Sequence, residues 1–188
     1  MKKIPTLFER KFENGRVVGI SDRITPGCEE AFENGTATIK YDGTCCAVIN
    51  GEFYKRYDAK PGRKIPVGAI PCCEKDPITV HWPHWVKVTG DPSDKWFLMA
   101  YGLTMADEGP LVDGTYEAVG PHFQGNPYGL EKDKLVKHGK NHVDVERTFD
   151  GVKKFLENNT VEGLVFWLNG EPVCKIKRTD FGLNWPIK

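Results

Sequence analysis

The chain has 188 residues, and its 26 Lys and Arg balance 26 Asp and Glu, so the formal charge is zero. This length suits one compact domain over residues 1–188 with a sizeable core. The charge balance excludes wholesale electrostatic adhesion to nucleic acid but leaves room for a local basic cleft, and no apolar run approaches the roughly 18 residues of a membrane span.

The opening "MKKIPTLFER" has two lysines but no apolar stretch behind them, which is not the pattern of a secretory signal. "TPGCEEAFENG" predicts a short helix, with Thr25 capping, Pro26 at the first helical position and Gly35 just past the end. Strands are expected near 37–41, 45–49 and 52–57, then a Pro-rich loop over 60–94. Further strands are expected near 96–101 and 114–119. "TFDGVKKFLENN" predicts a second helix over 148–159, with Val152, Phe155 and Leu156 on one face. Two last strands are expected near 162–168 and 171–178. The class is α+β, dominated by short strands.

Six cysteines stand at 28, 45, 46, 72, 73 and 174. Adjacent pairs make poor disulfide frameworks, so the reading is buried thiols in a reducing cytoplasm. Cys72, Cys73, His81 and His84 offer zinc-ligand types, but their spacing matches no common pattern, and a loop is preferred. Trp82 and Trp85 are read either as stacking surfaces for bases or as cover for the core.

Two hairpins can be placed in register. Asn50-Gly51 and Asn169-Gly170 each separate two strand-like runs, and Asn-Gly suits a two-residue turn with positive φ at both positions. In the second hairpin Leu168 should then pair with Glu171, Phe166 with Val173, Leu164 with Lys175 and Glu162 with Lys177. Glu162, Lys175 and Lys177 should share one face, while Val165, Trp167, Cys174 and Ile176 fill a core on the other. A β-bulge would shift that register. The face is either a solvated ion pair, contributing about 0–1 kcal/mol, or a polar floor for an anionic ligand.

Lys40 opens "KYDGT", Lys40 to Thr44, at the predicted end of a strand. The stretch resembles the KxDG nucleophile motif of covalent nucleotidyltransferases, the polynucleotide ligases and mRNA capping enzymes. The motifs that follow keep that superfamily's order. They are Arg56 in "YKRYD", Glu117 in "TYEAVGP", Glu162 in "VEGLVFW", and Lys175 and Lys177 in "CKIKR". "KYDGTCCAV", "QGNPYGL", "LVKHG" and "GLNWPI" sharpen the resemblance towards the ATP-dependent 5′–3′ RNA ligase family of vertebrates and giant viruses.

The resemblance implies an adenylyltransferase domain, with antiparallel sheets flanking a nucleotide cleft and no OB domain. It implies ATP as the nucleotide and Mg²⁺, or Mn²⁺, as the metal. RNA 5′-phosphate and 3′-hydroxyl ends are the implied partners, with an accessory RNA-binding partner left open. Lys40 would take up AMP, and Lys175 and Lys177 would serve the phosphates. Glu162 would hold the metal and Glu117 the ribose hydroxyls. Asp42, Gly43 and Arg56 would line the nucleotide site, and Tyr128 and His138 are the candidates for stacking on adenine. An attacking lysine must be neutral, whereas a free one titrates near about 10.4, and neighbouring ammoniums with a metal favour the neutral amine. Two alternatives stay open. One is a nucleotidyltransferase with another acceptor (a DNA ligase or guanylyltransferase), and the other is a non-enzymatic nucleic-acid-binding module.

Overall fold

The computed structural model describes residues 3–59, 62, 64–77 and 80–187. In chain order the elements are β1 (Phe8–Glu13), β2 (Arg16–Ile24), α1 (Glu29–Asn34), β3 (Thr36–Lys40), β4 (Thr44–Ile49), β5 (Glu52–Ala59), β6 (Ile70–Pro71) and β7 (Trp82–Lys87). There follow α2 (Lys95–Glu108), β8 (Gly114–Val119), β9 (Lys134–Lys137), β10 (His142–Val143), α3 (Phe149–Asn158), β11 (Gly163–Leu168) and β12 (Glu171–Lys177). The strand pairings are antiparallel in all three sheets, with one isolated parallel bridge from Thr6 to Lys175, so the fold is α+β with few helices.

The chain forms two compact units. One is Gly43–His138; the other is Ile4–Asp42 with the chain from Gly139 onward. The crossing at Asp42–Gly43 falls inside the "KYDG" stretch.

The first unit is a six-stranded sheet in the order β6-β7-β5-β4-β8-β9. Alternation along β4 sends Cys46 and Val48 into a core with Phe53, Tyr116, Ala118, Leu135 and Ala100 of α2. Cys45 and Ala47 leave the opposite face and pack with Trp85. Asn50-Gly51 closes β4 to β5 as expected, with φ of 52° and 76° and Ile49 opposite Glu52.

One expectation fails in this unit. Residues 96–101 are not a strand but lie within α2. "WFLMAY" is apolar all round, and such a run does not separate a strand from a packed helix by periodicity. Asp91 caps the turn that leads in, its carboxylate accepting the Ser93 N–H at 2.8 Å. The region 60–94 is mostly loop, as expected, but Trp82–Lys87 within it is an interior strand. Pro83 is tolerated because its carbonyl faces the two-residue β6 side, accepting from Cys72 at 2.9 Å, so the missing N–H also faces that short edge. Lys60, Pro61, Arg63, Ile78 and Thr79 of the expected loop lie outside the described residues.

The second unit holds the sheet β10-β3-β11-β12 and the β1–β2 ribbon. Its core joins Phe32 of α1, Val152 and Leu156 of α3, and Leu164, Phe166, Cys174 and Ile176 of the β11–β12 hairpin. Thr148 caps α3, its hydroxyl accepting the Gly151 N–H at 2.9 Å. The first helix starts later than expected, at Glu29. Gly27 adopts φ +88°, which no helix interior accommodates, so Thr25–Cys28 is a turn and Cys28 takes the cap position.

The β11–β12 register is also corrected. Leu168 faces Glu171, but a bulge between Phe166 and Trp167 then sets Phe166 against Cys174, Val165 against Lys175, Leu164 against Ile176 and Gly163 against Lys177. The extra residue reverses the expected faces of β11. Leu164 and Phe166 enter the core, while Val165 and Trp167 join Lys175 and Lys177 on the other face.

Candidate functional site

In the second unit, register alone brings the lysines together. Gly163, first residue of β11, is flanked by Lys40 of β3 and Lys177 of β12. Residues opposed across neighbouring strands point to one face, and Lys175 shares it two residues along β12. Gly163 is required by close approach, because a Cβ there would meet the Ile176 carbonyl oxygen at 2.1 Å. Lys175 is tied at the backbone on its other side, its N–H donating to Pro5 O at 3.0 Å and its carbonyl accepting from Leu7 at 2.7 Å.

Glu162 is not part of the strand but a bend just before it. Its carbonyl accepts the Arg178 N–H at 2.9 Å. The buried Arg178 guanidinium in turn donates to the carbonyls of Leu156, Asn159 (3.0 Å) and Asn184 (3.0 Å). That brace fixes the connection from α3 and turns the Glu162 carboxylate between the lysines. Oε2 accepts from Lys40 Nζ, and Oε1 lies 2.9 Å from Lys177 Nζ. Glu162 is only 5% exposed. Burial pushes the half-buried Lys175 ammonium down to about 8, with Lys40 and Lys177 adding repulsion and Glu162 opposing it. Three ammoniums thus surround one carboxylate, leaving an excess of positive charge. Asp42 faces elsewhere within this unit, accepting the Trp185 indole N–H at 2.8 Å.

In the first unit a second carboxylate is held differently. Cys45 of β4 lies directly opposite Glu117 of β8. Glu117 Oε1 accepts the Gly43 N–H at 3.2 Å, and Oε2 lies 2.9 Å from His138 Nε2. Gly43 has no room for a side chain, since a Cβ would sit 2.2 Å from the Ala118 carbonyl oxygen. His138 is fixed by Thr115, through its backbone N–H to Thr115 O at 3.0 Å and its Nδ1 to the hydroxyl at 2.9 Å. Burial raises the Cys45 thiol to about 12, with Glu117 adding to the effect. Arg56 pairs with Asp58, Nε to Oδ1 at 3.1 Å, and His81 Nε2 reaches the same oxygen at 3.4 Å.

The structure therefore gathers Lys40, Glu162, Lys175 and Lys177 in one cluster, and Gly43, Glu117 and His138 in another. His138, a candidate for stacking on adenine, has both ring nitrogens engaged. Tyr128 is half-buried in a turn. Trp85 is a core residue, while Trp82 donates to Cys73 O at 3.1 Å and packs on His84. Among the described residues the one group of three metal-ligand types is Cys45, Glu117 and His138, not Cys72, Cys73, His81 and His84. Sequence reading passed over Thr115 and Arg178. Thr115 had a usable signal, since it lies two positions before Glu117 on one strand. Arg178 had none, because its carbonyl partners are distant in sequence.

No family model matches the chain. It is similar to vertebrate proteins named RNA ligase 1. Identity to the Rattus norvegicus protein is 25% over 232 residues, 82% of this chain and 69% of that protein. To the Danio rerio protein it is 29% over 226 residues, 80% and 68%. To the Pongo abelii protein it is 31% over 110 residues, 51% of this chain and 32% of that one. The chain thus spans about a third of the Pongo abelii protein and about two thirds of the other two. At this low identity the similarity supports the RNA ligase resemblance carried by the ordered motifs.

Proposed function

We propose that the chain is an ATP-dependent RNA ligase module of the adenylyltransferase fold, acting through a lysyl-AMP intermediate on Lys40. The observation that carries the reading is the cluster of Lys40, Lys175 and Lys177 around a single buried carboxylate, in a chain similar to proteins named RNA ligase 1. Phosphoryl transfer is governed by positioning and by neutralising charge on the transferred group, and an excess of ammoniums on one sheet face suits both.

Lys40 Nζ would bond the α-phosphorus of ATP as the bond to pyrophosphate breaks, with loss of an amine proton. The ammoniums of Lys175 and Lys177 would bind the phosphate oxygens. AMP would then pass to an RNA 5′-phosphate, and an RNA 3′-hydroxyl would displace it to seal the ends. Glu117 is assigned to the ribose hydroxyls, and Asp42, Gly43 and Arg56 to the nucleotide. Glu162 fits a hard dication, because Mg²⁺ takes one or two carboxylates together with substrate phosphates. When bound, Mg²⁺ or Mn²⁺ would offset charge developing on the phosphates.

Incubation with α-labelled ATP or GTP and Mg²⁺, read by intact mass, tests the first step. An AMP adduct and no GMP adduct is expected; a GMP adduct moves the chain to the guanylyltransferases. Sealing of pre-adenylylated nicks then tests the acceptor. RNA on the 3′-hydroxyl side should seal faster than all-DNA, since the 2′-hydroxyl is what distinguishes the two locally. Equal or faster sealing of the all-DNA nick overturns the RNA assignment.

A further inference from the structure

We propose that Cys45, Glu117 and His138 form a binding site for a thiophilic divalent cation such as Zn²⁺ or Co²⁺. Their ligand atoms all lie within 4.8 Å of one another, and no other such group occurs among the described residues. The fold builds the cluster from two facts. Cys45 and Glu117 are opposed across β4 and β8, so both side chains leave the same face. His138 directly follows β9, which pairs along β8 through Lys137 and Tyr116, and so reaches the same place.

Zinc bonds of about 2.0–2.3 Å imply ligand-to-ligand distances of roughly 3.3–3.8 Å in a tetrahedron, so side-chain shifts of about 1 Å suffice. The outer partner is already present. Thr115 Oγ1 lies 2.9 Å from His138 Nδ1, where it would hold the ring with Nε2 directed at the cation. One sulfur, one nitrogen and one oxygen suit Zn²⁺ or Co²⁺, whereas Mg²⁺ prefers oxygen alone. Three protein ligands leave a fourth position open. On binding, a metal–sulfur bond forms and the thiol proton goes to solvent. The imidazole proton that Nε2 shares with Glu117 in the metal-free site is given up to solvent, and Nδ1–H is donated to Thr115, so the ring is neutral and presents the Nε2 lone pair; no electron transfer is involved.

This occupancy has a regulatory consequence, which rests on the ribose role proposed for Glu117. A cation held there withdraws that carboxylate, so Zn²⁺ should compete with ATP even when Mg²⁺ is plentiful.

The test is titration of the chelator-stripped full chain with Co²⁺, followed by absorption. The parent should show a thiolate-to-cobalt charge-transfer band and intense tetrahedral d–d bands. Cys45→Ala and Cys45→Ser should both lose the thiolate band, and Thr115→Val should weaken binding about ten-fold. Absence of the band from the parent, or its persistence in Cys45→Ala, overturns the site. AMP labelling is read in parallel. Zn²⁺ should silence the parent and spare Cys45→Ala, and labelling immune to Zn²⁺ with the site filled overturns the regulatory consequence. A parent that never labels counts against the ligase reading alone, since the cobalt spectrum still decides the site.

Discussion

Glu162 and Glu117 are both enclosed carboxylates, yet their surroundings differ in charge. Glu162 has an ammonium on each oxygen and a third beside them. Glu117 has a backbone N–H on one oxygen and an imidazole nitrogen on the other, next to a neutral buried thiol. The first arrangement stores unbalanced positive charge, which a polyphosphate can relieve. The second fixes direction with little net charge, which suits hydroxyl groups. Removing the carboxylate charge should therefore destabilise the first cluster far more than the second.

The sharpest break is Lys40→Arg. The guanidinium keeps the positive charge beside Glu162 but is no nucleophile at neutral pH. The protein should fold, and the AMP adduct should vanish from the intact mass; a normal adduct sinks the mechanism. Next is Glu162→Gln. It leaves three ammoniums without their carboxylate, and breaking a buried pair costs about 3 kcal/mol. Urea melts should show that loss, and added sulfate or pyrophosphate should recover much of it. A midpoint unmoved by the substitution contradicts the charge account.

Lys175→Met tests the same excess from the other side. The folded state binds the Lys175 proton less tightly than the unfolded chain, so Lys175 lowers stability at pH values below about 8. Its cost shrinks as pH rises from about 8 towards the unfolded value. Lys175→Met should therefore stabilise near neutrality, by about 1 kcal/mol after allowing for solvent around a half-buried group, while abolishing adenylylation. The gain should fade between about pH 8 and 10.5; a gain that grows over that window reverses the sign and defeats the argument. The smallest effect belongs to Glu117→Gln. Its amide oxygen can still accept from Gly43, so about 0.5 kcal/mol is expected in the same melts. A loss as large as that of Glu162→Gln would erase the distinction between the clusters.

Much of the candidate site was legible because sequence order and strand period place residues without tertiary knowledge. Lys175 and Lys177 share a face because they are two apart on one strand. What failed was the pairing of Glu162, since the bulge between Phe166 and Trp167 and the bend before Gly163 are set by packing. Leu164 and Phe166 fill the core, while Arg178 holds the connection from α3. Strand β7 and helix α2 were missed because their local sequences are ambiguous and their partners lie elsewhere.

"FENG" occurs twice and marks the limit. At Phe12–Gly15 it closes the β1–β2 hairpin, with Asn14 and Gly15 at φ of 49° and 74° and Phe12 63% exposed. At Phe32–Gly35 the same four residues end α1, with Gly35 at φ −80° and Phe32 3% exposed. The tetrapeptide by itself determined that a regular element stops there, because Asn-Gly ends helices and turns hairpins alike. Which of the two it does was decided by tertiary structure. Phe32 has Phe8 and Phe166 to pack against, with ring centroids at 5.8 and 5.4 Å. A Cβ at Gly35 would lie 2.3 Å from the Trp167 carbonyl oxygen, whereas nothing approaches Gly15. Burial of one aromatic ring, absent at the other copy, selects the conformation that the local sequence leaves open.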